Sequence, residues 1–421
     1  MRVLCLSNGH GEDEIAVRIL RELRQQATGI EIEALPIVGE GHAYQKAAIP
    51  LIGTVKTMPS GGFIYMDGRQ LARDIKGGLL KLTLTQVGTV RHWAAKSAAG
   101  DEASLVLAVG DIVPLLFAWF SGLPFAFVGT AKSEYYLRDE QGVLDRPWWN
   151  DRLERWTNCI YLPWERWLMR RPHCRAVFPR DRITAQFLQQ RGIPAVDLGN
   201  PMMDGLIAPN QSIVESSSSV TEAPLTLLLL PGSRPPEAYN NWDILLQAVN
   251  ALINRMAVPL KFLAAIAPSL ELDTLQKMLM NYRWQAIGSD QFRVGTGNQQ
   301  ATLVLAKHRF AEYLHQAEVA IAMAGTATEQ FVGLGKPVIT IPGEGPQFTP
   351  QFAEAQTRLL GPSVNRVMTP QQVPATLQNL LQDPDRLHLI AENGHRRMGK
   401  PGAAKRIADY LIQQISPQSQ I

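Results

Sequence analysis

Cysteine is scarce and unpatterned. The 421 residues hold three, Cys5, Cys159 and Cys174, with no CxxC or other ligand spacing among them. That argues against a disulfide framework and a cysteine-based metal site, and fits a reducing compartment. Long apolar runs are also lacking. A membrane-spanning helix needs roughly 18–20 consecutive apolar residues. The nearest stretch, 105–128, is interrupted by Asp111, Pro114 and Pro124 and divides into strand, helix and strand. The first apolar run, 2–7, is too short for a signal-peptide core and enters a glycine turn at once, so it reads as a strand. No strong excess of one charge appears either. The formal net charge is +3, so the totals offer no electrostatic argument for nucleic acid, and no such partner is expected. What remains is an ordinary globular composition, 46% hydrophobic and 19% charged, on a chain long enough for two domains with separate cores.

The most informative stretch is 317–346. Val319–Met323 is a short apolar strand, Ala324-Gly325-Thr326-Ala327-Thr328 a small hydroxyl-rich turn, Glu329–Gly335 the opening of a helix, and Pro337–Ile341 a second strand. Strand, glycine turn, helix and strand make a βαβ unit, whose first turn is a ligand-binding mouth. Gly325 admits close backbone approach, and the Thr hydroxyls and free N–H groups at a helix start suit phosphate oxygens. Glu329 has the chemistry to accept from two neighbouring hydroxyls of a ribose. The same tetrad, Thr326-x-x-Glu329, also has capping-box spacing, in which Glu329 only satisfies the helix end.

The chain opens in a comparable way. A strand over 3–7 meets Asn8-Gly9-His10-Gly11, and Ile15, Ile19, Leu20 and Leu23 then follow helical spacing. Glu12, Asp13 and Glu14 start that helix. They suit its positive end but would repel a diphosphate, so this loop reads as the wall receiving a neutral hydroxyl acceptor. His10 is a candidate base or sugar contact; a turn histidine bonded to nearby backbone is the alternative. Further on, Leu105–Val109 is a buried strand with Gly110-Asp111 at its carboxyl end. Asp111 near apolar walls is a candidate general base, and equally a cap for the helix that follows. The glycine-rich 59–78 reads as a flap over substrate or a surface excursion. Segment 147–172 holds five of the nine tryptophans, with Arg152, Arg155, Arg166, Arg170 and Arg171 interleaved. That pattern suits a membrane interface, or a bulky core segment with an arginine surface.

Residues 196–198 read as a short strand before Gly199-Asn200-Pro201. The polar run 210–224, with Ser216–Ser219, is the best linker. It separates an acceptor-side domain, 1–209, from a second α/β domain, 225–398, with an amphipathic helix in 399–421. The second half restarts with a leucine-rich strand over 225–230 and Pro231-Gly232-Ser233-Arg234 at its end, where a guanidinium can grip an anion. Gln347 and Gln351 are neutral donors at the start of a helix through Leu360; a solvated helix start is their alternative.

The runs Leu230-Pro-Gly-Ser-Arg234 with Glu237, Ala324-Gly-Thr-Ala-Thr-Glu329 and Gly335-Lys-Pro-Val338 resemble lipid-A-disaccharide synthase and the related peptidoglycan N-acetylglucosaminyltransferase. Gly199-Asn-Pro-Met-Met-Asp204, Val109-Gly110-Asp111 and Asn8-Gly9-His10-Gly11 are similar to segments of the same enzymes. The likeness is good over the second half and patchy over the first. It implies a GT-B fold, two Rossmann-like α/β domains facing a cleft, the last helix crossing back to the first domain. It also implies inverting transfer from a UDP-sugar, a substrate rather than a cofactor, to a lipid-like or amphiphilic acceptor at the cytoplasmic membrane face, without an obligatory metal. Carried over, Ser233, Arg234, Gly325, Thr326 and Thr328 would meet the diphosphate, Glu329 the ribose and Gln351 the donor sugar. Asp111 or His10 would be the base, with Asn8, Gly9 and Gly11 on the acceptor side. A nucleotide-sugar epimerase or hydrolase of the same fold, and a non-catalytic sensor, are the alternatives.

Overall fold

The computed structural model describes residues 1–9, 11–27, 29–55, 79–100, 102–145, 152–206, 224–296 and 300–415. His10, the 59–78 loop, Trp148, Trp149 and nearly all of the 210–224 linker lie outside them. The chain divides into two compact units, one of residues 1–204 and 400–421, the other of residues 205–399.

The first unit is built on strands β1 (Arg2–Ser7), β2 (Glu31–Pro36), β3 (Ser104–Gly110) and β4 (Phe125–Gly129). A two-stranded ribbon, β5 (Arg138–Asp139) with β6 (Gly142–Val143), stands apart, and β7 (Cys174–Pro179) completes the sheet. The order is β2-β1-β3-β4-β7, parallel throughout. Strand side chains alternate between faces, so β1 and β3 each feed two cores. Leu4, Leu6, Val106 and Ala108 pack one face. Val3, Cys5, Leu105, Leu107 and Val109 pack the other, against Ile15, Ile19 and Leu20 of the helix Gly11–Gln26 and against Ala404, Ile407, Ala408 and Leu411.

Those last four residues belong to the helix Ala403–Ile415, so the end of the chain covers its beginning. The segment Gly199–Asp204 holds it there. Asp204 accepts from the backbone N–H groups of Gly402, Ala403 and Ala404. Arg18 donates to the carbonyls of Pro201 and Met202 at 2.8 and 3.1 Å. Arg406 donates to the Leu198, Lys400 and Pro401 oxygens. The strand expected over 196–198 is only an isolated bridge between Val177 and Ala195, because the chain turns into the Asn200-capped segment before a ladder forms.

The second unit carries an eight-stranded sheet. In chain order its strands are β8 (Leu225–Leu230), β9 (Leu260–Ile266), β10 (Gln285–Ala286), β11 (Gln291–Val294), β12 (Ala301–Lys307), β13 (Val319–Ala322), β14 (Val338–Thr340) and β15 (Val364–Arg366). The sheet runs β10-β11-β12-β9-β8-β13-β14-β15. Its parallel part, from β12 to β15, has the strand order 3-2-1-4-5-6 of a doubly wound dinucleotide fold. Leu227–Leu230 are buried without alternation, as expected of a strand covered on both faces. The antiparallel edge β10-β11 and the helices Val373–Leu381 and Pro384–Met398 carry no motif and went unpredicted.

Replacing Asp204 by alanine leaves three N–H groups of the final helix without their acceptor. Loss of an N-cap costs about 1–2 kcal/mol, so Asp204→Ala is expected to lower the melting temperature measurably. Melting unchanged within error in a thermal scan would show that the clamp contributes nothing.

Candidate functional site

Both sheets reverse their strand order beside their first strand, between β1 and β3 in one and between β8 and β13 in the other. At such a point the flanking helices diverge and leave a crevice beyond the carboxyl ends of the strands. The predicted site residues gather at these two places.

In the second unit, Pro231–Arg234 leaves β8 and Ala324–Thr328 leaves β13. Gly232 has φ +96°, and a Cβ there would lie 3.2 Å from the Met323 carbonyl, so the two turns approach closely only because this residue is glycine. Buried Asn241 ties them, donating to Pro231 O at 3.0 Å. Glu237, also buried, accepts from the N–H groups of Gln347 and Phe348 at 2.6–3.2 Å and so fixes a third loop, 343–348. That loop leads to the helix Pro350–Leu360, which carries exposed Gln351 at its start. Gln356 of the same helix is buried and donates back to Ala324 O at 3.0 Å. Ser233, Arg234, Gly325, Thr326, Glu329 and Gln351 therefore sit on loops and helix starts that are stitched together. Ser233 and Thr326 are exposed and Arg234 is half-buried.

Two expectations change. The helix begins at Thr326 with Gly325 as its N-cap. Glu329 is then the fourth helical residue, one position beyond the place a capping box requires, so the box is not formed. Thr328 does not present its hydroxyl to a ligand. It is fully buried and donates to Ala324 O at 2.6 Å, framing the turn instead. Lys336, in the Gly335-Lys-Pro-Val338 motif, donates to three carbonyls at the end of the helix Phe310–Gln316, a packing role.

In the first unit, Gly9 has φ +97°, and a Cβ there would meet Val38 O at 2.2 Å. Beneath it Asp13 is buried and accepts from the Ser7 hydroxyl, which is also within 2.6 Å of the Tyr44 hydroxyl. Gly11 is exposed, and a Cβ there would meet no atom of the described residues beyond its own helix within 4 Å. Asp111 caps the helix Ile112–Phe120, accepting from Val113 N at 2.8 Å. It is 7% exposed, and burial raises its pKa against that bond. Glu12, half-buried beside it, accepts from Thr130 Oγ1 at 3.3 Å. Burial first, and the neighbouring Asp111 charge after it, push Glu12 up to about 7. Lys132 pairs with buried Glu165 at 2.6 Å, and burial raises Glu165 despite that cation. Sequence reasoning had no local signal for Thr130, Lys132 and Glu165, which join the group through tertiary packing. Asn241 and Gln356 were likewise missed. Asn241 falls four residues after Glu237 on one helix face, a spacing that offered a clue.

Among the described residues no group of three or more His, Cys, Asp or Glu side chains has the arrangement of a metal site.

Burial holds the pKa of Asp13 up at about 6, above its unfolded value. The folded state thus binds this proton more tightly; the resulting stability is complete at pH below about 4 and is lost as pH rises through about 6. Asp13→Asn is expected to remove that loss, on the order of 2 kcal/mol. The urea midpoint of the variant should fall less than that of the wild type between pH 4 and 7; parallel profiles would refute the assignment.

No family model matches the chain, and no curated protein matches it. Solved structures do. It is similar to the UDP-GlcNAc 2-epimerase from Neisseria meningitidis bound to UDP-GlcNAc, at 15% identity and TM-score 0.56, over 98% of this chain and 100% of that one. It is equally similar to MurG of Acinetobacter baumannii, at 15% identity and TM-score 0.56, over 98% and 99% of the two chains. A UGT transferase from Siraitia grosvenorii in complex with UDP follows at 12% identity and TM-score 0.53, over 99% and 100%. With two Rossmann-like units on parallel sheets, the chain has the GT-B fold.

Proposed function

We propose that the protein is a UDP-sugar-dependent glycosyltransferase acting on an amphiphilic acceptor. The observation that carries the reading is the pair of turns at the strand-order reversal of the second sheet. There exposed Ser233 and Thr326, half-buried Arg234 and the first N–H groups of the helix Thr326–Gly333 offer donors to a diphosphate. Glu329 stands one turn into that helix, where a ribose bound behind the diphosphate would present its hydroxyls. Gln351 is the candidate donor-sugar contact. The acceptor hydroxyl is deprotonated at the carboxyl ends of β1 and β3, where Asn8, Gly9, Gly11 and Asp111 lie. The solved structures of this fold described above bind UDP or a UDP-sugar in two of the three cases, which supports the donor class.

The acceptor class rests on a surface of the first unit. Trp156, Trp164 and Trp167 are 81%, 51% and 44% exposed. Trp167 packs edge-on to Trp119 at 5.5 Å, Trp119 contacts Phe120, Arg171 covers Trp167 at 3.9 Å and Arg91 lies over Phe120 at 5.6 Å. This continuous basic-aromatic ladder suits the headgroup level of a membrane. It lies about 13 Å from Asp111 along the helix Ile112–Phe120. No helix among the described residues is long and apolar enough to cross a membrane, so the association proposed is peripheral, at the cytoplasmic face. A second reading, a nucleotide-sugar epimerase or hydrolase, is favoured by the concentration of Glu12, Asp111, Glu165 and Lys132, since proton abstraction from a sugar carbon needs several acid and base groups.

Calorimetric titration with UDP, against ADP, GDP and dTDP, tests the donor. Selective UDP binding is expected, weakened at least tenfold in Glu329→Ala with little change in melting temperature. A fall in stability without a fall in affinity would return Glu329 to a structural role. Co-sedimentation with anionic phosphatidylglycerol vesicles tests the acceptor side. Wild type should pellet with vesicles and a Trp164→Ala/Trp167→Ala variant should not; equal partitioning of both would favour a soluble substrate.

A further inference from the structure

We propose that Glu12, rather than Asp111, takes the proton from the acceptor hydroxyl, with Asp111 fixed beside it as the cap of the next helix. The assignment rests on the transferase reading and deepens it. Its basis is the different way in which the two carboxyl groups are held.

Asp111 is committed. One oxygen caps the helix Ile112–Phe120 through Val113 N, and the residue is almost wholly covered. The cap fixes the direction of the carboxyl group, and burial raises its pKa against that bond. Turning toward a substrate would cost the helix that cap. Glu12 is partly buried at the first turn of the helix Gly11–Gln26, and the side-chain partner described for it is one neutral hydroxyl, Thr130 Oγ1 at a long 3.3 Å. It can gain and lose a proton without dismantling a structural element.

The charged groups around Glu12 support the same division. On its own helix Asp13 turns inward to Ser7 and Glu14 is exposed. From the end of β3 comes Asp111. From the loop after β4 come Thr130 and Lys132, and Lys132 is already paired with Glu165. From the end of β7, buried Arg180 donates to the Thr130 carbonyl. No described cation pairs directly with Glu12, and the nearest charges acting on it are the Asp111 and Asp13 anions. Burial and that repulsion keep it protonatable close to neutral pH, where a general base is most effective.

The step balances as a direct displacement. The acceptor oxygen forms a bond to the anomeric carbon and gives its proton to Glu12. The bond from that carbon to the β-phosphate oxygen breaks, and the nucleoside diphosphate departs with the electron pair.

The test uses the full chain, UDP-N-acetylglucosamine and UDP-glucose as donors, and phosphatidylglycerol vesicles doped with a long-chain alkyl glycoside as acceptor probe. UDP affinity and the pH profile of UDP release from pH 5 to 9 are measured together, with the Glu12 carboxyl followed by carbon-13 NMR. In wild type, UDP release should rise with pH through a limb near 7. E12Q should keep UDP affinity within twofold, lose at least 100-fold in rate and lose the limb, with E12D partly restoring both. D111N, which removes the neighbouring charge, should shift the limb and the Glu12 signal to lower pH. A limb that survives in E12Q, or a Glu12 signal titrating in the ordinary carboxylate range, overturns the assignment whichever donor is used. Absence of UDP binding by the wild type overturns the nucleotide-sugar reading and this assignment with it, whereas UDP binding with an unaltered limb in E12Q overturns the assignment alone.

Discussion

A parallel sheet covered by helices on both faces has only one kind of place for polar chemistry, the loops at the carboxyl ends of its strands. In this protein that constraint acts twice, and each time the strand order reverses beside the first strand of the sheet. Neighbouring helices then leave on opposite faces, and the loops between them border a gap no side chain is required to fill. The candidate site residues of both units lie at those two reversals. Asn8 and Asp111 leave adjacent strands at one; Gly232 and Gly325 leave adjacent strands at the other.

The loops at each reversal are set by buried polar bonds rather than by apolar packing. Asn241, Glu237 and Gln356 satisfy backbone groups of three separate loops in the second unit. Ser7, Asp13 and Tyr44 lie under the glycine loop of the first. Such groups are costly if left unpaired, so the loops have one arrangement that satisfies them. The two places differ in charge. The first collects Glu12, Asp111 and Glu165 with one lysine, an environment that repels phosphate and manages protons. The second offers an arginine, hydroxyls and helix-start N–H groups.

Most of the fold was readable because its signals are local. The leucine run of β8, the glycine turns and the alternation of strands with helices each announce themselves within about ten residues, and together they imply two Rossmann-like units. The candidate residues Ser233, Arg234, Gly325 and Thr326 stood out for the same reason, since they lie in short motifs, and the fold brings their turns together. What the sequence hid depends on distance along the chain. The Lys132–Glu165 pair spans 33 residues and Gln356 reaches back 32 to Ala324, and neither partner has a pattern of its own. Thr328 misled because a hydroxyl in a phosphate-like motif looks the same whether it points to a ligand or to the carbonyl four residues earlier. The capping-box spacing misled by one residue, because Gly325 rather than Thr326 ends the turn.

The helix Ala403–Ile415 supplies Ala404, Ile407, Ala408 and Leu411 to one core of a sheet whose strands all lie before residue 180. A chain emerging from the ribosome therefore exposes Val3, Cys5, Leu105 and Leu107 on a half-covered sheet until residues 404–411 have been made. The second unit, continuous in sequence, has all its core residues available earlier. Order of synthesis and order of completion are thus inverted: the half made first is finished last, and its uncovered apolar face is the surface a chaperone would meet.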